Sequence, residues 1–367
     1  MKTILFVIVC LWAINGFAQV SNTAVIDTTD VEIKGKLSIQ GYIDAYYMYD
    51  FSQPANKEKP YFVSSARHNE MSINLAYIDI RYSSKNVRGR FVPAVGSYIN
   101  ANYANEDGAL KYIVEASTGV KLFKNKEIWL EAGVFGSPYT NESAISKDHL
   151  CYSRSFAPEY VPYYLSGLKL SVPLSPKINA FLYVLNGWQV IKDNNDSKSI
   201  GTQIEYRPTD NLLINWNTYI GNEKSAARPD FGNRYFSDIF LIYNKGKFSA
   251  TSCVYAGIQE QILGAERNDL FWWNANAIAR YQVSPKVAVA GRLEYFKDTK
   301  GVQIQAITNK AFETASSTIG LHLSPSANML LRFEVRNFWS PTEVYFDANQ
   351  QNTSQNTTIY SNFTIWF

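Results

Sequence analysis

The sequence predicts an all-β fold, a transmembrane antiparallel β-barrel of about sixteen strands with short periplasmic turns and long external loops, and three observations carry that prediction. Segments of about ten to thirteen residues alternate apolar and polar side chains with period 2. A tilted strand needs that length to cross a bilayer, and it is roughly twice that of an ordinary soluble strand. Charged residues in these segments fall opposite the apolar stripe, where a Lys or Arg escapes the roughly 2–4 kcal/mol it would cost on the lipid face. Finally, tight polar turns alternate with mostly longer connections, the asymmetry expected of such a barrel.

Composition agrees with this reading. The 367 residues include 25 Tyr, 21 Phe and 8 Trp, yet mean hydropathy is −0.20. After the N-terminus no apolar run approaches the ~18 residues of a membrane helix. Many aromatics without apolar runs suit strands that are half polar and end in interfacial girdles. The net charge of +3 comes without a long basic block, so nothing points to nucleic acid as a partner.

Residues 1–18 read as a cleaved signal peptide: Lys2, an apolar stretch from Ile4 to Ala13, and Gly16-Phe17-Ala18 before Gln19. Cys10 sits inside the apolar stretch, where a lipidated cysteine would not be. An exported chain with barrel patterning belongs in a Gram-negative outer membrane, in contact with its lipid. Residues 19–35 form a short polar periplasmic tail, and the barrel runs over 36–367.

The first strand spans about Lys36 to Phe51, with Leu37, Ile39, Ile43 and Tyr47 toward lipid and Gln40, Tyr42, Asp44 and Tyr46 inward. A later one begins near Leu110 and places Lys111, Glu115 and Lys121 inward. Later stripes put Glu131, Arg292 and Glu294, and Arg332, Glu334 and Arg336 inward as well. The last strand alternates Ile359, Ser361, Phe363, Ile365 and Phe367, and a terminal aromatic is the feature that barrel-assembly machinery would engage. Seven tight turns are expected around residues 85, 125, 176, 209, 245, 285 and 325, each built on Pro, Gly, Asn or Asp. The longer connections are 52–70, 137–163, 187–198, 222–234, 259–268, 297–312 and 339–355, with a single short one at 105–108. The resulting even strand count puts both termini in the periplasm.

Three stretches fit less well. Between Met71 and Tyr82 the stripe changes phase, which a β-bulge or a misread boundary would explain. Pro93 interrupts an otherwise good strand. Val302 to Ile307 alternates within a loop and reads as a strand extension.

Function is expected from the lumen. Asp44, Lys111, Glu115, Glu131, Arg292, Glu294, Arg332, Glu334 and Arg336 are the candidate pore-lining residues, within an inward set that also holds Lys121, Lys169, Glu205 and Arg280. Both signs appear, so a strongly single-sign pore is not expected. The Arg332/Glu334/Arg336 ladder either sets a field at a constriction or forms wall-stabilising ion pairs. Inward Tyr42, Tyr46, Trp129, Tyr219 and Trp272 read first as girdle packing and second as an aromatic track. The third external loop, 137–163, carries Glu142, Lys147, Asp148, Arg154 and Glu159. A loop of that length needs something to pack against, either the lumen as a constriction or the outer surface as a lid.

Asp148, His149 and Ser153 contain the residue types of an activated nucleophile, but no nucleophile motif surrounds the serine, so catalysis is not expected. No metal-ligand spacing and no phosphate loop occur, hence no cofactor. Cys151 and Cys253 could tie a loop to the wall, but two unrelated thiols is the plainer reading. Outward aromatics fit lipid contact and also subunit contact in a homotrimer.

The segments Asn74-Leu75-Ala76, Lys111 to Ala116, Ala132-Gly133-Val134-Phe135, Tyr152-Ser153-Arg154-Ser155, Ser166 to Ser171 and Asn186-Gly187-Trp188-Gln189 resemble the OmpL-like outer-membrane β-barrel porins. That resemblance implies passive diffusion of small hydrophilic solutes or ions through a water-filled barrel. The alternative is a plugged barrel that binds or adheres through its external loops.

Overall fold

The computed structural model describes residues 35–367; the expected signal peptide and nearly all of the expected tail lie outside the described residues. Sixteen strands close into one antiparallel barrel. They are β1 (Gly35–Asp50), β2 (Glu70–Ser84), β3 (Val87–Val95), β4 (Ile113–Phe123), β5 (Lys126–Gly136), β6 (Tyr164–Ser175), β7 (Ile178–Leu185) and β8 (Ser199–Thr209). The circle continues with β9 (Leu212–Asn222), β10 (Phe231–Lys245), β11 (Phe248–Leu263), β12 (Glu266–Ser284), β13 (Val287–Asp298), β14 (Phe312–Leu323) and β15 (Met329–Trp339). After a small external hairpin, β16 (Tyr345–Phe346) and β17 (Asn352–Thr353), strand β18 (Gln355–Trp366) pairs with both β15 and β1.

That seam is tight. Gly41 and Phe367 exchange backbone hydrogen bonds at 2.8 and 3.0 Å, and the Phe367 ring lies directly over Gly41, where a Cβ would come within 2.1 Å of it. Period 2 holds around the wall. Leu293, Ile319, Phe333 and Phe363 are exposed on the outside, whereas Arg292, Thr318, Glu334 and Asn362 are buried inside. Outward aromatics collect at both rims: Trp273 packs on Tyr295 at 4.9 Å near the external end and Tyr243 on Phe248 at 6.3 Å near the periplasmic end. All seven expected tight turns are present at the strand ends.

The irregular stretches resolve physically. The register shift opposite Asp44/Ala45 leaves Asn74 as an extra, buried residue between Ile73 and Leu75. Ile73 therefore faces out and Leu75 in although they share parity, as a bulge requires. Pro93 sits at another shift, pairing with Ile113 where β4 carries one extra residue. Val302 to Ile307 is not a strand extension. The Asp298 carboxylate accepts the backbone N–H groups of Val302, Gln303 and Ile304 at 2.6–2.9 Å, and Val302, Ile304 and Ala306 point into the core. The connection near 105–108 is not short: it runs from Gly96 through helix α1 (Ser97–Asn102) and a 3-10 turn at Gly108–Tyr112. The one expected at 259–268 shrinks to Gly264-Ala265, because β11 and β12 pair up to Leu263↔Glu266.

The core lies inside the cylinder, in its external half. Phe135, Phe156, Phe236, Phe296, Phe312 and Phe338 belong to one buried cluster of wall and loop residues. Tyr61 and Phe62 from the first loop close over it.

Candidate functional site: the lumen and its third loop

The third loop, 137–163, enters the lumen. Its two roots are bent by Gly133 and Gly167, which face each other across β5 and β6 at φ +129 and +150. A Cβ at either would meet a carbonyl oxygen at 2.1 Å, so only glycine fits there. The loop then crosses to the opposite wall and lies on the inward charges of β13 and β15.

Each ladder residue meets loop backbone. Glu334 accepts the Tyr152 N–H at 2.7 Å and the Ser153 N–H and hydroxyl. Glu294 accepts the Phe156 N–H at 2.6 Å and is paired with Arg292 at 3.2 Å and with Arg336. The guanidiniums donate to carbonyls: Arg292 to Ser153, Arg332 to Ser146 at 2.6 Å, and Arg336 to Arg154 at 2.9 Å. All five side chains are at most 6 % exposed. The ladder therefore faces inward as its parity requires, but the loop covers it, and it is not bathed by the lumen.

The loop candidates divide. Glu142 is buried and accepts from Ser155; Arg154 is buried between the Tyr98 and Tyr163 rings; Glu159 accepts the Val63 N–H at 2.8 Å and the Tyr163 hydroxyl. Burial pushes the carboxyls of Glu142 and Glu159 up from the usual range, against the pull of Arg292 and Arg154 respectively. Lys147 and Asp148 pair at 2.9 Å, with Asp148 exposed. Asp148, His149 and Ser153 are not brought together: His149 Nε2 contacts the Ser143 carbonyl, and Ser153 is bound to Glu334. Cys151 and Cys253 are both free and buried.

On the wall, Asp44 is buried, accepting from Asn74 at 3.0 Å and from Asn362. Lys111 is misplaced by the sequence reading. It sits in the 3-10 turn before β4, which starts at Ile113 and not near Leu110. Glu115 pairs with Arg90, and Glu131 with both Arg88 and Lys169 at 2.7 Å. The sequence reading missed Asp79, Arg81, Arg88 and Arg90. Asp79 is held by both Arg81 at 2.6 Å and Arg90 at 2.8 Å. Asp79 and Arg81 follow the Asn74 bulge on β2, so carrying the parity of Ile73 through the phase change hides them. Arg88 and Arg90 lie on β3, beyond the turn, where the bulge does not account for the omission. The break in the stripe was the signal that could have revealed the first two.

A cavity of about 490 Å³ lies between the loop and the wall of β6 to β10. Tyr139, Asp148, Lys169, Tyr183, Gln203 and Glu205 are among its lining. A second cavity of about 600 Å³ opens at the external mouth beside Lys59, Tyr61, Phe62 and Gln350.

A closed sixteen-stranded cylinder, apolar outside, with a loop folded across a charged interior, defines an outer-membrane barrel of the porin class. The chain matches the family model described as "Putative beta-barrel porin-2, OmpL-like" over residues 36–367, and it belongs to that family. Its fold is shared with solved outer-membrane proteins at low identity. The outer membrane channel DcaP of Acinetobacter baumannii aligns with TM-score 0.63 and 9% identity over 91% of this chain and 97% of that one. OmpF of Salmonella typhi, solved with daunomycin, gives 0.59 and 12% over 91% and 98%. The trimer form of Vibrio cholerae OmpT gives 0.59 and 8% over 91% and 99%. Among curated proteins, none matches the chain in sequence.

Proposed function

We propose that this outer-membrane porin passes small hydrophilic solutes or ions passively, along the side of the lumen that the third loop leaves open. The observation that carries the reading is the asymmetry of that loop. It seals the β13–β15 side by consuming every ladder charge, and it leaves a polar cavity with Lys169, Glu205 and Asp148 on the β6–β10 side. Fixed charges beside a narrow water path bias which ions enter, and no covalent chemistry or cofactor is required. Planar-bilayer recording of the refolded protein tests it. Stepwise currents are the expected result, and a folded but silent barrel refutes it.

The second reading, a plugged barrel that binds through its external loops, draws on the aromatic filling of the external half and on the cavity at the mouth. The same recording separates the two. Assembly as a homotrimer is supported by the trimeric OmpT that shares the fold, and the mass of the detergent-solubilised particle checks it. Recognition of the terminal strand by the barrel-assembly machinery is supported by the exposed Phe367 ring at the seam, and deleting that residue tests it.

A further inference from the structure

The short turns at the periplasmic end of the barrel differ in charge from the loops at the other end. Lys85 lies in the β2–β3 turn, Lys124 in β4–β5, Lys177 in β6–β7, Lys247 in β10–β11 and Lys286 in β12–β13. Lys126 and Lys245, at adjoining strand ends, share the outward parity of Ile128 and Tyr243. All of these lysines are exposed, and none forms an ion pair among the described residues. Lys177 reaches only the neutral Pro208 carbonyl, at 2.9 Å. Carboxylates are scarce at this end. Glu127 is already paired with Lys121, and Asp210 in the β8–β9 turn is balanced by Arg207 at the end of β8. The external loops instead set opposite charges against each other, as in Arg67 with Glu58, Lys192 with Asp107 and Lys297 with Glu313.

Outward aromatics fix the depth of this basic rim. Phe123, Tyr206, Phe248 and Tyr281 are all exposed near the periplasmic ends of their strands, and Phe248 lies between Lys245 and Tyr281 in register. Rings in such a belt settle at the headgroup level of a bilayer. The lysines follow within a few residues, and their methylene stems let the charge reach outward to the phosphates. The turns are too short to project far: β10 and β11 close through Gly246-Lys247 alone. The cations therefore stay close to the membrane surface, and they are spread along the wall from β2 to β13. A folded partner meets one patch, whereas a leaflet meets the barrel along its whole girth.

We infer that this basic rim binds the anionic phospholipid headgroups of the periplasmic leaflet, through phosphodiesters of the phosphatidylglycerol type. Lysine suits the task, because a point charge on a flexible stem follows a mobile headgroup without demanding one geometry. The rim gathers acidic lipid at one end of the barrel, and the mixed charges of the external loops do not. The inference stands on the outer-membrane placement of the barrel and is independent of whether it conducts.

Native mass spectrometry of the folded barrel, released from a neutral detergent, tests it by counting retained lipids. Wild type is expected to retain phosphatidylglycerol over phosphatidylcholine of the same acyl chains by at least about tenfold at low salt, each basic residue near an anionic surface being worth about fivefold. That preference should fade as ionic strength rises. Combining Lys85→Gln, Lys177→Gln, Lys245→Gln and Lys286→Gln is expected to lower the ratio by at least about fivefold. Combining Lys57→Gln, Lys224→Gln and Lys300→Gln, all exposed in external loops, is expected to leave it unchanged. Heat-modifiable mobility checks that each variant is folded. No preference in the wild type, an unchanged ratio in the rim variant, or an equal loss in the external variant overturns the assignment. Sedimentation of the wild type with purified peptidoglycan, without any lipid preference, overturns it in favour of a cell-wall partner.

Discussion

Truncating Glu334 to alanine should release the third loop while leaving the barrel intact. Its carboxylate holds the Tyr152 N–H at 2.7 Å together with the Ser153 hydroxyl and, at 3.3 Å, the Ser153 N–H. Hydrogen bonds to a charged group contribute about 1.5–3 kcal/mol each. Losing the two shortest weakens docking by about 3 kcal/mol at the low end, which is roughly a 150-fold shift toward the released loop. The wall ladder of β15 uses backbone groups only, so heat-modifiable folding persists. Cys151 provides a reporter inside the loop: it is buried, and burial pushes its thiol up, away from the reactive thiolate. In a Cys253→Ser background, maleimide labelling of Cys151 then tracks the released population. Glu334→Ala should label about two orders of magnitude faster than its parent. A rate within twofold of the parent, with folding intact, would refute the claim that this carboxylate holds the loop.

Further outcomes follow from the same geometry. Gly41→Val places a side chain where the Phe367 ring lies, and it should lower the heat-modifiable folded fraction on gels severalfold; an unchanged fraction would show that the ring swings aside freely. Cys151 and Cys253 should titrate with a thiol reagent only after unfolding, and reduction should not alter gel mobility; a mobility shift would contradict two independent thiols. His149 should make loop docking acid-sensitive. Burial, then Arg154, depresses its ring, so the docked loop holds it neutral. Its contribution is complete above the free-histidine value near ~6.5 and is lost as pH falls below it. Glu142 and Glu159, with raised carboxyls, shift docking in the opposite direction. The comparison is therefore with His149→Gln, whose Cys151 labelling, normalised to the unfolded chain, should rise less between pH 7 and pH 5.

The wall was legible because lipid imposes a rule that each strand obeys alone. Leu293 and Arg292 cannot exchange faces without putting a guanidinium in hydrocarbon, so parity assigns both from sequence. That local rule fails where the backbone inserts a residue. After Asn74 the same count assigns Asp79 and Arg81 to the wrong side, and no side chain at the bulge announces its position. Strand ends are less constrained again, since a 3-10 turn and a strand both tolerate Lys111. The regular alternation of Val302 to Ile307 misled for a related reason: one carboxylate, Asp298, gathers three successive N–H groups into a turn that a period-2 pattern cannot anticipate. The destination of the third loop was outside the reach of pattern altogether, because it depends on charges more than a hundred residues downstream.

Those charges nevertheless require the loop. Five ionised groups pointing into a closed cylinder can be hydrated by a wide aqueous lumen or matched by protein, and burial without either costs several kcal/mol per ion. Here they are desolvated, so their remaining donors and acceptors must be met. A loop meets both signs at once: its carbonyls face Arg292, Arg332 and Arg336, while its amides face Glu294 and Glu334. Close approach of backbone to wall explains the serines at 146 and 153, which are small and add hydroxyls to the same groups; the Ser155 hydroxyl instead accepts from Asn276 and donates to Glu142. Because the ladder lies on one arc of the barrel, the loop is drawn to that arc, and the free volume is displaced to the other. In the proposed pathway the ion-pair ladder would act on permeation from a distance, by deciding where the loop is not.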